Sequence, residues 1–273
     1  MRNSRFSRRI NRLASSVTLA LCVLAPHPLP FASKGIATTA GFGAGAPQVA
    51  AVPHACTEIG LSSLGAAAAA DLVWEGKSAL RVRFLDGSPE IQRRVIRHAT
   101  TWNRYSGLPF VFVESGPSDI RVSFTPSGKS WSYVGNSAER VSASKPTMNF
   151  GWFSEMTTED EVRRVTLHEF GHALGLIHEH LSPRAGIKWN KPEVYKYYEK
   201  HFGWNVNVVN DNIFKKYQGT VTQSRQYDPT SIMHYPIPKQ FTTDGTSVGW
   251  NTDLSYKDKA FVRKLYPSSN VGH

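Results

Sequence analysis

His168-Glu169-Phe170-Gly171-His172, followed by Gly175 and His178, sets three imidazoles and one carboxylate at the spacing a hydrolytic metal site needs. Residues four apart on a helix project from one face, so His168 and His172 can grip one ion, with Glu169 beside the open coordination position. Gly175 lets the backbone leave the helix and turn sharply, which brings His178 back as a third ligand instead of leaving it farther along the rod. Three neutral nitrogens leave a fourth position for water, the arrangement of a catalytic rather than a structural zinc. Five such fixed positions, three of them histidine, arise by chance in a chain of this length with a probability on the order of one in 10⁵. A pair of stray surface histidines is therefore not the reading.

One zinc ion held in this way polarises a carbonyl and lowers the pKa of its bound water to about 7. A carboxylate close to the metal but not on it can then carry a proton to the leaving amine, the general-base role that falls to Glu169. The second function class left open is a zinc-containing binding protein that holds its target without cutting it.

About 55 residues downstream, Ser231-Ile232-Met233-His234-Tyr235-Pro236 follows the turn-forming Tyr227-Asp228-Pro229-Thr230 and resembles the methionine turn of the metzincin metalloproteases. HEFGHALGLIHE, which includes Glu179, together with SIMHY resembles the astacin family. Trp131 to Gly135, Met148 to Gly151 and Leu254 to Asp258 agree with it, so the resemblance covers roughly residues 72 to 267. It implies that His168, His172 and His178 bind the zinc and that Glu169 is the general base. It implies further that Met233 packs beneath the metal, and that Tyr235 is a fifth, displaceable ligand that swings away to stabilise the oxyanion. An intact Glu169 and Tyr235 argue for cutting over mere holding. In the astacin family a pro-segment blocks the zinc, and the new N-terminus is then buried near the glutamate after the third histidine, here Glu179. A matrixin-like, calcium-stabilised relative is disfavoured by Glu179, by the SIMHY tyrosine and by the lack of a dense Asp/Asn loop. The cysteines depart from the family, whose animal members carry two disulfides in the catalytic domain. This chain has only Cys22 and Cys56, so Cys56 is expected to be unpaired and the domain to depend on packing and metal.

With 273 residues, 40% hydrophobic and 11% aromatic, the chain can bury a sizeable core in one domain or two closely packed lobes. The formal charge is +11, five units of which are arginines in the first 12 residues. The remaining basic residues are scattered and carry no stacking motif, so nucleic acid is not an expected partner; protein or peptide substrates are. Residues 1–25 join this basic start to an apolar run from Leu13 to Ala25, a signal peptide too short and too interrupted for a stable membrane span. A secreted or periplasmic protein follows, with Arg8-Arg9 hinting at twin-arginine export. Residues 26–71, rich in Ala, Gly, Pro and Thr, read as a flexible linker or pro-segment. Residues 72–273 read as the catalytic domain, expected to act as a monomer.

The elements that must position the site follow from local signals. Ala79 to Phe84 alternates as a strand, and Ser88-Pro89 starts a helix whose Ile91, Val95, Ala99 and Trp102 recur at core-facing spacing. Short strands are expected at 110–113, 120–124 and 147–150. Thr158, three before Glu161, starts the helix that carries the histidines. After Gly175 periodic structure is sparse until Ser255 and Asp258 open a last helix ending near Tyr266. The fold class expected is α+β: a metzincin-like domain with a mixed, mostly parallel twisted sheet, two long helices, a zinc cleft and a less regular C-terminal lobe. A substrate is expected to lie along an edge strand at Met148 to Gly151; Lys239 could lend positive charge to the pocket after the cut bond, but a solvent-exposed side chain is the favoured reading.

Overall fold

The computed structural model describes residues 56–59, 72–216 and 226–268. The signal-peptide reading of residues 1–25 and most of the 26–71 segment lie outside them. Six strands are present among the described residues: β1 (Cys56–Ile59), β2 (Leu80–Phe84), β3 (Phe110–Phe112), β4 (Ile120–Ser123), β5 (Ser130–Tyr133) and β6 (Met148–Phe150). They form one sheet in the order β1-β5-β6-β4-β2-β3, in which every pairing is parallel except β5 with β6.

Helix α1 (Pro89–Ala99) begins where Ser88 caps it, its side chain accepting from the Ile91 amide, with proline in the first turn. Thr158 caps α2 (Glu159–Ala173) in the same way through the Glu161 amide. The two helices pack together, and Ile91, Val95, Ala99 and Trp102 enter the core as their spacing predicts. Trp102 is fully buried, and its indole N–H donates to the Leu167 carbonyl of α2 at 3.0 Å, tying the metal-motif helix to the turn that follows α1.

Three expectations need correction. The Met148 to Gly151 stretch is not an edge strand: β6 lies between β5 and β4, and all three of its residues are buried, as an inner strand requires. The strand outside it is β5, recognisable afterwards in the alternating burial of Ser-Trp-Ser-Tyr. Second, residues 56–59 of the expected flexible segment are paired to β5 in parallel, Cys56 opposite Ser130 and Ile59 opposite Tyr133. Thr57 and Ile59 are β-branched residues that suit a strand. Third, the lobe after Gly175 is more regular than its periodicity suggests. It holds α3 (Lys191–Phe202) and a short α4 (Val206–Val209) before α5 (Tyr256–Leu265). The punctuation was present: Asn190 and Pro192 at the start of α3, and Gly203 in the left-handed region (φ 64°) at its end. This lobe has its own core, built from Val194, Trp204, Val209, Ile213, Ile237, Phe241 and Val248.

Candidate metal centre

From Arg164 to Ser182 every residue is buried, so α2 enters the interior carrying His168, Glu169 and His172 with it. A helix buried on all sides is normally apolar, and burying a carboxylate costs several kcal/mol unless something repays it. The helix ends where the turn to His178 must begin. Gly175 adopts φ 95°, its amide donates to the His172 carbonyl at 2.8 Å, and the Leu176 amide donates to the Gly171 carbonyl at 3.0 Å. This pair of bonds is a Schellman cap, which reverses the chain with the helix's last carbonyls satisfied. Trp74 Nε1 donates to the Ala173 carbonyl at 2.8 Å, and the Tyr266 hydroxyl donates to that of Leu174 at the same distance.

The three imidazoles converge. His178 Nε2 lies 3.2 Å from His168 Nε2 and 3.1 Å from His172 Nε2. Their outer nitrogens decide what these contacts are: His168 Nδ1 lies 2.8 Å from the Ile232 carbonyl and His172 Nδ1 2.8 Å from that of Leu176. A carbonyl only accepts, so each Nδ1 carries the proton and each Nε2 turns a lone pair inward. Burial first, and then the neighbouring rings, holds the pKa of His168 well below the ordinary histidine value, which keeps it neutral. Three buried ring nitrogens this close, at least two of them with lone pairs turned inward, invite a cation between them. Zinc–nitrogen bonds of about 2.0–2.1 Å in a tetrahedron separate ligand nitrogens by roughly 3.3 Å, so the donor set fits zinc.

The turn carrying Met233 closes the floor. Met233 is buried, and its carbonyl accepts from the Glu179 amide at 3.0 Å. A side chain on Gly171 would collide with it, the added carbon lying 2.5 Å from Met233 Sδ. Asp258 of α5 ties this turn down, accepting from Ser231 Oγ at 2.6 Å and the Ile232 amide at 2.8 Å while completing a capping box with Ser255. The carbonyl of that same Ile232 receives the His168 proton, so a carboxylate on the last helix orients a metal ligand on α2 through one residue.

Tyr235, half-buried, has its ring centroid 4.3 Å from that of His178 and 6.2 Å from that of His168. His180 stacks on the same tyrosine ring at 4.6 Å and 21°, and its own ring lies 5.4 Å from that of His178, so the three rings form one cluster. His180 and Asp258 escaped notice as contributors to the site, as did Gly171. For Gly171 there was a signal, because glycine inside a helix costs about 1 kcal/mol and calls for a packing reason. Glu179 is buried with its Oε1 accepting from the Asp228 amide at 2.9 Å, and burial pushes its pKa up to about 8. It borders a cavity of about 300 Å³ together with Asp228, Lys257 and Asp258. Lys239 is exposed on a short 3-10 turn and does not line the larger cavity beside the metal centre.

The model of the astacin peptidase family matches residues 68–266. A zinc metalloproteinase of Caenorhabditis elegans, nas-38, is 26% identical over 179 residues, 63% of this chain and 21% of that protein. The protein SpAN of Strongylocentrotus purpuratus is 28% identical over 206 residues, 68% of this chain and 30% of that one. The chain thus spans less than a third of the length of these curated relatives. Among solved structures, myroilysin superposes with a TM-score of 0.68 at 41% identity, covering 72% of this chain and 96% of its own. A hatching enzyme zinc-protease of the medaka Oryzias latipes shares the fold, with a TM-score of 0.51 at 17% identity over 72% of this chain and 95% of that one.

Proposed function

Because the chain belongs to the astacin family, whose members use one catalytic zinc, we propose that it is a secreted or periplasmic zinc endopeptidase, acting as a monomer on protein or peptide substrates. The observation that carries this reading is the convergence of the three Nε2 atoms of His168, His172 and His178 at the buried end of the helix that also carries Glu169. His168, His172 and His178 would hold the ion. When bound, zinc supplies Lewis acidity toward the scissile carbonyl and makes water acidic enough to attack near neutral pH. Glu169 takes the proton of the attacking water and passes it to the leaving amine. Tyr235, whose ring packs beside those of His178 and His180, would serve as a displaceable ligand and then as a donor to the developing oxyanion.

Export rests on the basic and apolar character of residues 1–25; among the described residues no helix is long and apolar enough to cross a membrane. Residues 26–71 act as a linker or pro-segment in this proposal. In favour of the second, β1 runs parallel along β5, so this part of the chain holds the sheet edge to which an extended substrate could add. After its removal, an arriving ammonium group would find Glu179 at its cavity.

The test is cleavage of a mixed peptide library by the zinc-loaded full chain, before and after limited proteolysis, with cut sites read by mass spectrometry. Cutting should vanish with a zinc chelator, and Glu169→Gln should bind zinc stoichiometrically with negligible turnover. Full activity in that variant sinks the general-base assignment. A folded, zinc-loaded protein that never cuts points instead to one that holds its targets.

A further inference from the structure

The cavity beside the metal centre has walls that say what enters it. It spans about 610 Å³, part of it open to solvent, and His168 and Tyr235 form the side it shares with the metal site. The opposite walls come from α3 and from segments beyond the methionine-bearing turn. Tyr197 and Tyr198 stand one helical turn from Phe202, Phe241 packs edge-on against Tyr197 at 5.0 Å, and Trp250 closes the rim.

Three polar side chains in these walls, those of Arg164, His234 and Asn251, are already engaged. Arg164 forms a forked ion pair with Glu161, Nε at 3.1 Å and Nη2 at 2.7 Å, and its guanidinium lies 4.1 Å from the centre of the Trp250 ring. His234 spends Nδ1 on the Tyr235 carbonyl and Nε2 on the Tyr227 hydroxyl. The Asn251 amide donates to the carbonyls of Pro229 and Ser231, both at 2.8 Å. What remains for a guest is chiefly aromatic faces, among them those of Tyr197 and Tyr198 with their hydroxyls, and proline rings. An acidic guest would meet an Arg164 charge already offset by Glu161, and Lys239 stands outside the walls.

We propose that this cavity receives a bulky apolar side chain, aromatic by preference, from the substrate residue adjoining the cut bond. The proposal rests on the endopeptidase reading above and differs from the acidic preference that Lys239 would have given had it faced the pocket. A cavity lined in this way distinguishes guests by the apolar area they bury, so phenylalanine should exceed alanine or aspartate by on the order of tenfold or more.

The experiment scores the peptide library by position. The zinc-loaded full chain should enrich phenylalanine, tyrosine or leucine at one position next to the cut. Glu161→Gln leaves the Arg164 charge uncompensated and should raise acceptance of acidic residues there several-fold. Trp250→Ala, at a half-exposed position the fold tolerates, should weaken aromatic selection through KM more than through kcat. A further readout needs no turnover: zinc-loaded Glu169→Gln should bind a phenylalanine-bearing peptide about tenfold tighter than its aspartate counterpart by calorimetry. Cutting without enrichment, acidic enrichment in the unmodified protein, or equal affinities overturns the proposal and leaves the endopeptidase reading standing. Absence of all cutting removes that reading, while the binding ratio still decides the chemistry of the cavity.

Discussion

Gly171→Ala should destabilise this protein, although the same change in the interior of an ordinary helix stabilises by about 1 kcal/mol. The new Cβ would lie 2.5 Å from Met233 Sδ and 3.3 Å from Trp102 Cζ2. Carbon and sulfur atoms settle at about 3.5–4.0 Å, so Met233 must retreat by roughly 1 Å. It has little room: it is 1% exposed, its carbonyl holds the Glu179 amide, and the Ile232 carbonyl before it orients His168. A contact this short puts the cost of overpacking in the upper part of its usual range, about 2–3 kcal/mol, which outweighs the propensity gain of about 1 kcal/mol and leaves a net loss of about 1–2 kcal/mol. For a domain of this size that lowers Tm by roughly 2–8 °C. Because the displaced turn supports a ligand, zinc affinity should fall about tenfold as well. Thermal unfolding with and without zinc and competition with a chelating dye measure both effects. Adding Met233→Ala supplies the missing space, so the double variant should lose less than the sum of the single losses. A Gly171→Ala protein as stable as its parent, with unchanged zinc affinity, refutes the reasoning.

Two further predictions concern groups that act at a distance from the metal. Asp258→Asn sets an amide where one carboxylate oxygen accepts from both the Ile232 and Ser255 amides, at 2.8 and 2.9 Å. It should cost about 2–3 kcal/mol in chemical denaturation and weaken zinc binding with it, whereas a purely structural role would leave the affinity of the folded protein untouched. Glu159 opens α2; burial alone would raise its pKa, but hydrogen bonds from Arg94 and His98 win and hold it below the ordinary value of 4.5. A depressed acid contributes stability that is present above its unfolded pKa and lost as pH falls through the folded one. Because its side chain is 45% exposed, the gap between the protein and Glu159→Gln should stay under about 1 kcal/mol above pH 5 and close progressively below 4.5; a gap that widens in acid contradicts the sign.

The histidine triad able to hold a metal was legible because its geometry is local. Helical spacing sets His168 and His172 on one face, and Gly175 alone supplies the positive φ of the cap that returns His178. The helix starts at Ser88 and Thr158 were legible for the same reason, since a cap is an agreement among residues three or four apart. What could not be read is what depends on neighbours in space. Met148-Asn149-Phe150 has the composition of a strand, but whether β6 is an edge depends on Ser130 to Tyr133 pairing outside it. Asp258 announces a helix start in the sequence; that its carboxylate also holds the turn beneath the metal requires Ser231 and Ile232 to arrive beside it.

The same distinction separates chemistry from selectivity in this molecule. A cutting centre needs a few atoms in fixed geometry, and one helix with its cap delivers most of them from eleven consecutive residues. The cavity beside it takes its chemistry from segments far apart in the chain: Arg164 on α2, Tyr198 on α3, Phe241 and Trp250. No one of these residues is informative alone. Arg164 in particular reads from sequence as a free positive charge, and becomes a neutralised, tryptophan-covered wall only once Glu161 and Trp250 are in place. Selectivity can therefore be changed at Glu161 or Trp250 without touching the three histidines. Changes at Gly171 or Asp258, by contrast, should reach the metal even though neither residue binds it.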